Sequence, residues 1–153
     1  MSFSTSTETS AKPTPGEPKV ALIALDTDVS SLILKDKLPH QMAAKLVGHK
    51  LAISFVTLGE LTAWVELRQW GPHRRAKLDA FRQGKYVMLG DEDIAVKWGN
   101  LSAAAQCDGQ PRPANDSWIA ACCLSYGIPL ATFNVKDFQY YVSSHGLVLL
   151  KDT

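Results

Sequence analysis

The sequence predicts an α/β protein whose mostly parallel sheet is covered by helices on both faces. Short apolar runs alternate with longer stretches of helical spacing from about Val20 onward, and this alternation is typical of βαβ units. The first run, Val20–Leu25, is wholly apolar, as expected of a strand buried on both faces. Asp26 follows this strand directly. Open parallel sheets bind ligands beyond the carboxyl ends of their strands. Because a buried carboxylate is costly unless it is paired, Asp26 predicts a metal or phosphate site.

The first half of the chain contains two predicted strands and four predicted helices. Pro39 suits the first turn of a helix, and Gly48 interrupts that helix. Gly71 and Pro72 close the helix that follows the second strand. The elements predicted here are the strands Val20–Leu25 and Leu51–Phe55 and the helices Ser30–Lys35, Pro39–Val47, Thr57–Gln69 and His73–Gln83.

The second half is predicted to contain three strands and three helices. Gly84 ends the preceding basic helix, and acids from Asp91 onward favour the start of the next helix through its dipole. Asn115 is the predicted cap of a helix that ends at Gly127. The other elements predicted here are the strands Tyr86–Leu89, Ile128–Phe133 and Leu147–Leu150 and the helices Asp91–Gln106 and Lys136–Ser144.

Length and composition predict one domain preceded by a tail. The chain has 153 residues, 46% of them hydrophobic, which is enough for one sizeable core. Residues 1–19 are rich in Ser, Thr and Pro. We therefore predict a flexible N-terminal tail over residues 1–19 and a folded domain over residues 20–153.

Several classes of protein are excluded by the same sequence. The three cysteines include no CxxC pair and the four histidines show no metal-ligand spacing, which argues against a structural zinc site. No apolar run approaches the roughly 18 residues of a membrane span, and no signal peptide is visible. We therefore expect a cytoplasmic protein with no membrane partner. The net charge of +1 is uninformative, but the basic segment from Arg68 to Lys85 can meet phosphates or form a solvated helix face.

Three acids occupy related places near the ends of predicted strands. Asp26 follows the first strand, Glu60 lies on the first turn of the helix after the second strand, and Asp116 follows the predicted cap. Each helix-start acid has an ordinary explanation, because the helix dipole stabilises a carboxylate there. As a set, they are expected to converge on one rim of the sheet. Such a cluster suits metal-assisted phosphodiester cleavage, since Mg²⁺ and Mn²⁺ prefer oxygen ligands and activate water.

Four segments of the chain resemble the PIN-domain ribonucleases, and in particular the VapC toxins of bacterial toxin–antitoxin pairs. The segments are Ala24–Ser30, Ser54–Leu61, Asn115–Ala121 and Leu130–Phe138, in the family's order and approximate spacing. The resemblance implies a three-layer α/β/α sandwich and an endoribonuclease that requires Mg²⁺ or Mn²⁺. It also implies an RNA substrate, often tRNA or rRNA in the family, a homodimer and a cognate antitoxin as inhibitor.

The resemblance carries over residue by residue to a candidate metal and catalytic site. Three residues match the family's acidic metal ligands: Asp26, Glu60 and Asp116. At the fourth acidic position, two residues after Thr132, this chain has Asn134. Asn134 lowers the charge of the site and is expected to place the attacking water. Asp137 is the alternative fourth ligand, or else the cap of the last helix.

Candidate substrate contacts surround these acids. Small hydroxyl side chains resembling those near the family's active site can bond a phosphate, and basic side chains can follow an RNA backbone. The candidates are Thr27, Thr132, Arg112, Arg74 and Arg75. Trp64 and Trp70 are further candidates for stacking bases, although the position of Trp64 also suits the core or a dimer interface.

Two alternative functions remain open from the sequence. Asp26 and Asp28 also resemble the Asp-x-Asp opening of haloacid-dehalogenase-type phosphatases, but that reading leaves Glu60 and the segment Asn115–Ala121 unexplained. Relatives of the PIN type often have Asn in place of Asp28, which suggests a turn or cap role. The other alternative is a non-catalytic PIN-like binding domain. It is suggested by Asn134, which stands at the fourth acidic position of the family.

Overall fold

The computed structural model describes residues 22–69 and 71–151. Three sequence-based predictions lie outside the described residues. They are the flexible tail over residues 1–19, the first two residues of the predicted first strand, and base stacking by Trp70.

A parallel sheet forms the centre of the fold. Its strands are β1 (Leu22–Leu25), β2 (Lys50–Ser54), β3 (Tyr86–Met88), β4 (Leu130–Ala131) and β5 (Leu149–Leu150). They lie in the order β3-β2-β1-β4-β5, and every neighbouring pair is parallel. The chain therefore adds β2 and β3 on one side of β1 and β4 and β5 on the other. The carboxyl end of β1 is the switch point of the sheet, where ligand crevices form in open α/β folds.

The described ranges contain seven helices, and each of them corresponds to a predicted helix. They are α1 (Thr27–Leu34), α2 (His40–Leu46), α3 (Phe55–Leu67), α4 (Gly71–Gln83), α5 (Glu92–Cys107), α6 (Ala114–Tyr126) and α7 (Val135–His145). Gly127 and Gly146 end α6 and α7 at φ 65° and 76°, a left-handed conformation that glycine adopts at little cost. Within residues 22–69 and 71–151, no helix is long and apolar enough to cross a membrane.

Helices cover both faces of the sheet, which confirms the three-layer α/β/α sandwich. Side chains alternate along β1, so that Ile23 and Leu25 pack with the buried residues of α1, α2, α3 and α4, whereas Ala24 packs with those of α5, α6 and α7. This period of two is a consequence of strand geometry. The two apolar clusters hold the strands rigidly and leave the strand ends for polar groups.

Five helices begin earlier than predicted, among them α4 at Gly71 rather than His73 and α7 at Val135 rather than Lys136. Helix α1 begins at Thr27 rather than Ser30, because the Asp26 carboxylate accepts the N–H of Thr27 and caps the helix. Helix α3 begins at Phe55 rather than Thr57, because the Ser54 side chain caps it. The prediction of Asn115 as a cap is wrong: Pro113 precedes the first helical residue of α6, and Asn115 lies inside the first turn.

Candidate active site

Asp26 is a buried carboxylate at the carboxyl end of the central strand, 4% exposed. Its Oδ1 accepts the backbone N–H of Thr27 at 2.8 Å, and its Oδ2 accepts the hydroxyl of Thr132 at 2.7 Å. Each oxygen keeps a further lone pair for a ligand. Burial, and then the nearby charge of Asp28, raises the pKa of Asp26 to about 7, although both hydrogen bonds act in the opposite direction.

Asp28 joins the start of α1 to the loop that follows β4. Its Oδ1 accepts the N–H of Val29 at 2.7 Å, and its Oδ2 accepts the N–H of Phe133 at 3.0 Å. Burial raises the pKa of this carboxyl. Because both oxygens bond backbone amides, Asp28 has the structural turn role expected from the resemblance.

Glu60 reaches the same rim from α3. The prediction that it lies on the first helical turn is wrong, since α3 begins at Phe55 and Glu60 is therefore on the second turn. Its Oε1 accepts the hydroxyl of Thr27 at 3.2 Å. Burial raises the pKa of Glu60, and the Thr27 hydrogen bond partly offsets that effect.

Asp116 lies in the first turn of α6. Its pKa is affected by the charges of other acids at the rim, so it lies near them. Burial, then the charges of Asp137 and Glu60, raises the pKa of Asp116 to about 6. Arg112, in the loop before α6, acts in the opposite direction. Arg112 therefore lies close enough to Asp116 to offset part of its charge, and its Nε donates to the carbonyl of Gln110 at 3.1 Å.

Both residues considered for the fourth ligand position lie at the start of α7. Asn134 is the residue before the helix, and its backbone N–H donates to Oγ1 of Thr132 at 3.0 Å. Asp137 is in the first turn of α7, so the alternative that it caps the helix is wrong. Of the charges that raise the pKa of Asp116, that of Asp137 is the largest. Asp137 therefore lies near Asp116.

The balance of charge and the chemistry of the donor set fit a divalent cation. Acids from four different elements repel one another at this rim, and Arg112 is the cation that offsets Asp116. A divalent ion relieves this repulsion, and carboxylate oxygens are the ligands that Mg²⁺ and Mn²⁺ prefer. Across residues 22–69 and 71–151, however, no three His, Cys, Asp or Glu side chains are gathered tightly enough to hold an ion. The acids thus share one electrostatic neighbourhood without forming a closed coordination sphere.

Aromatic rings fix the start of α6 beside the acids. The rings of Trp98 and Trp118 are stacked, with centroids 4.8 Å apart and an interplanar angle of 13°, and Phe55 meets Trp118 edge-on at 5.7 Å. The indole N–H of Trp98 also donates to the carbonyl of Ala114 at 3.4 Å. These contacts join α3, α5 and α6 and so set the position of Asp116, two residues before Trp118.

Arg74 and Arg75, the residues of α4 that are predicted to contact RNA, both have exposed side chains. The guanidinium of Arg75 forms an exposed ion pair with Glu66 on α3 at 2.9 Å. Trp64 is partly buried and packs with the cluster under α1 to α4, in agreement with the core alternative.

Two hydroxyl residues of the site were not singled out from the sequence. Ser54 and Thr57 are 1% and 0% exposed, and they connect through Thr27 to Glu60. The available signal was a serine at the end of a buried strand with a threonine three residues later, the spacing of a helix cap. That signal predicts a cap and does not reveal a link to Glu60.

Comparison with known proteins identifies the family. The model of the family described as PIN domain matches residues 23–141. The chain belongs to the PIN-domain family. This match confirms the resemblance inferred from the four segments and sets aside the phosphatase alternative, because it spans Glu60 and the segment Asn115–Ala121, which that alternative leaves unexplained.

Related PIN-domain proteins include curated ribonucleases. Ribonuclease VapC1 of Haemophilus influenzae (strain R2866) is 27% identical over 118 residues, covering 75% of this chain and 88% of that protein. The tRNA(fMet)-specific endonuclease VapC of Shigella flexneri is 29% identical over 117 residues, with the same coverage of 75% and 88%. This PIN domain is therefore similar to VapC ribonucleases over most of their length.

Solved structures share the fold of this PIN domain. The DNA-bound VapBC of Salmonella typhimurium aligns with a TM-score of 0.76 at 23% identity, covering 87% of this chain and 99% of that chain. VapBC-5 of Mycobacterium tuberculosis, a member of the VapBC family of toxin-antitoxin systems, aligns with a TM-score of 0.64 at 26% identity, covering 86% and 98%. The likeness to solved structures thus extends along nearly the whole of those chains.

Proposed function

We propose that this PIN-domain protein is an endoribonuclease of the VapC type that requires Mg²⁺ or Mn²⁺ and acts as the toxin of a toxin–antitoxin pair. The observation that carries the proposal is the electrostatic interaction of Asp116 with Asp26, Glu60 and Asp137 at one rim of the sheet. Burial and mutual repulsion raise the pKa values of Asp26 and Asp116 to about 7 and about 6. Acids held at such a cost are typical of a functional site.

The proposed roles of the side chains combine the family resemblance with the hydrogen bonds of the site. Asp26, Glu60 and Asp116 would hold the ion, with Asp137 as a further acidic ligand. When bound, a divalent ion polarises the phosphate and lowers the pKa of the attacking water. Thr132 orients Asp26 and Thr27 orients Glu60 through the hydrogen bonds described above. Asn134 offers a neutral amide to the water, and Arg112 offers a cation to an RNA phosphate.

Partners are proposed from the relatives. The VapBC neighbours favour a cognate antitoxin as a separate chain, and the family resemblance favours a homodimer. The naming of one relative as a tRNA(fMet)-specific endonuclease makes tRNA the first substrate to test. Free cysteines at positions 107, 122 and 123 suit the reducing cytoplasm, where this RNA is found.

Cleavage of labelled total tRNA by the purified protein tests the proposal. We expect discrete fragments with Mg²⁺ or Mn²⁺, none with EDTA, and none from the Asp116→Asn variant. Fragments that persist in EDTA, or that the variant produces equally well, would exclude the proposed site. A wild-type protein that binds no Mn²⁺ and cleaves no RNA would instead support the non-catalytic alternative.

A further inference from the structure

Three buried hydroxyl groups form a continuous chain that ends on the carboxylate of Glu60. Oγ of Ser54 donates to Oγ1 of Thr57 at 3.3 Å, and Oγ1 of Thr57 lies 3.0 Å from Oγ1 of Thr27. Oγ1 of Thr27 donates to Oε1 of Glu60 at 3.2 Å. The chain thus connects the end of β2 to the acidic rim through α1 and α3.

When Glu60 is ionised, the direction of every hydrogen bond in this chain is determined. A carboxylate only accepts, so the hydroxyl hydrogen of Thr27 is used on Glu60. Thr57 must then donate to Thr27, and Ser54 must donate to Thr57. Ser54 in turn accepts the backbone N–H of Thr57 at 3.1 Å. All the donors therefore point toward Glu60, an arrangement in which hydrogen bonds polarise and strengthen one another.

We propose that Ser54 and Thr57 are positioning residues for Glu60, which they orient through Thr27. Neither residue can touch a substrate, because they are 1% and 0% exposed. Their effect is to hold Oε1 of Glu60 at the end of a rigid chain, so that Glu60 meets a cation with its side chain already oriented. The inference rests on the proposed function, since it takes Glu60 to be a ligand of the divalent ion.

A purely structural role for these hydroxyls is the competing account, and the choice of substitution separates the two. Ser54 also caps α3, so its removal affects the helix as well as the chain. Thr57→Val retains the side-chain shape and the backbone N–H that donates to Ser54, and removes only the hydroxyl. Thr57→Ser restores the hydroxyl. Thr62 is a matched control on the same helix, because its exposed hydroxyl donates to the carbonyl of Leu58 at 2.7 Å, away from this chain.

Mn²⁺ affinity of the full chain, measured by electron paramagnetic resonance of the free ion, tests the proposal without RNA. Removing a group that supports a metal ligand through hydrogen bonds commonly weakens metal binding 10–100-fold, so we expect Thr57→Val to raise the Kd about tenfold. Thr57→Ser and Thr62→Val should stay within about twofold of wild type. In a Glu60→Gln background, Thr57→Val should cause no further loss, because the chain acts only through that carboxylate.

Each outcome bears on the proposal. An unchanged Kd in Thr57→Val, or an equal loss in the Glu60→Gln background, would overturn the positioning role while leaving the proposed nuclease site intact. If circular dichroism shows that Thr57→Val does not fold, Ser54→Gly takes its place, since glycine is also a good cap. Its loss of affinity must again disappear in the Glu60→Gln background. A wild-type chain that binds no Mn²⁺ would overturn both this inference and the proposed metal site.

Discussion

The hydroxyl of Thr132 donates to Oδ2 of Asp26 at 2.7 Å and joins the carboxyl ends of β4 and β1. The same hydroxyl oxygen accepts the backbone N–H of Asn134 at 3.0 Å. Asp26 is therefore tied to the turn that presents Asn134, although 106 residues separate it from Thr132 in the chain. The orientation of the central acid and the geometry of the fourth ligand position depend on one hydroxyl group.

Thr132→Val is expected to reduce RNA cleavage by about tenfold, the lower end of effects seen for residues that support metal ligands. Valine keeps the side-chain shape but removes the donor to Asp26. Because that hydrogen bond lowers the pKa of Asp26, its loss should move the rising limb of the pH–rate profile to higher pH. Initial rates on labelled tRNA from pH 5 to pH 9 measure both effects. Thr132→Ser should restore them, and a Thr132→Val profile equal to wild type would contradict the role of this hydroxyl.

Asp26→Asn and Asp116→Asn are expected to reduce cleavage by at least about 100-fold, because each removes a carboxylate that is proposed to hold the cation. The metal-free variants should nevertheless melt at the same temperature as wild type or higher at pH 8, since each removes a carboxylate that repels its neighbours. Cleavage assays and thermal melts followed by circular dichroism check the two parts. Asp79→Asn, at an exposed acid of α4, is the control and should change neither. Strong destabilisation of the two site variants would indicate a structural role instead.

Without metal, the stability of the protein should fall as the pH rises from about 4 to about 7. The pKa of Asp26 is raised from 3.8 to about 7 in the folded state. Over this interval the folded protein binds more protons than the unfolded chain. The contribution of Asp26 to the free energy of unfolding is therefore fully present below pH 3.8 and is lost as the pH rises through 7. Melting temperatures in EDTA should therefore be higher at pH 5 than at pH 8.

Two further measurements of melting temperature test whether this pH dependence arises from the acids at the rim. Saturating Mn²⁺ should raise the melting temperature more at pH 8 than at pH 5, because a cation binds the ionised carboxylates. The Asp26→Asn variant should show a weaker dependence on pH than wild type. An equal dependence in that variant would assign the effect to other groups.

Arg112 should contribute more to RNA binding than Arg75. Arg112 lies beside Asp116, whereas Arg75 is paired with Glu66 on the surface. In an Asp26→Asn background, which prevents cleavage, Arg112→Gln should weaken RNA binding. It should also reduce the slope of log affinity against log salt by about 0.7–1, the value for one lost phosphate contact. Arg75→Gln is the matched control and should change the slope little. The opposite order would place the RNA on α4.

The strands and helices are predictable from the sequence because the hydrophobic pattern is a local property of the chain. The apolar run that ends at Leu25 is a buried central strand, and the alternation of strands and helices did form a parallel sheet. Errors arose at helix starts. The residue type of Asn115 predicts a cap, but the chain enters α6 through Pro113, whose ring favours the backbone conformation found there.

By itself, the sequence determined the fold class, the three acids and the family, because these depend on residue type and spacing along the chain. Only the tertiary structure decided how the acids are supported. The hydrogen bonds from Thr132 to Asp26 and from Thr27 to Glu60 join residues 106 and 33 positions apart, and the proximity of Asp137 to Asp116 depends on the packing of α7 against α6. Contacts of this kind arise when strands align in register and helices pack on them, and a periodic pattern carries no information about which hydroxyl then meets which carboxylate.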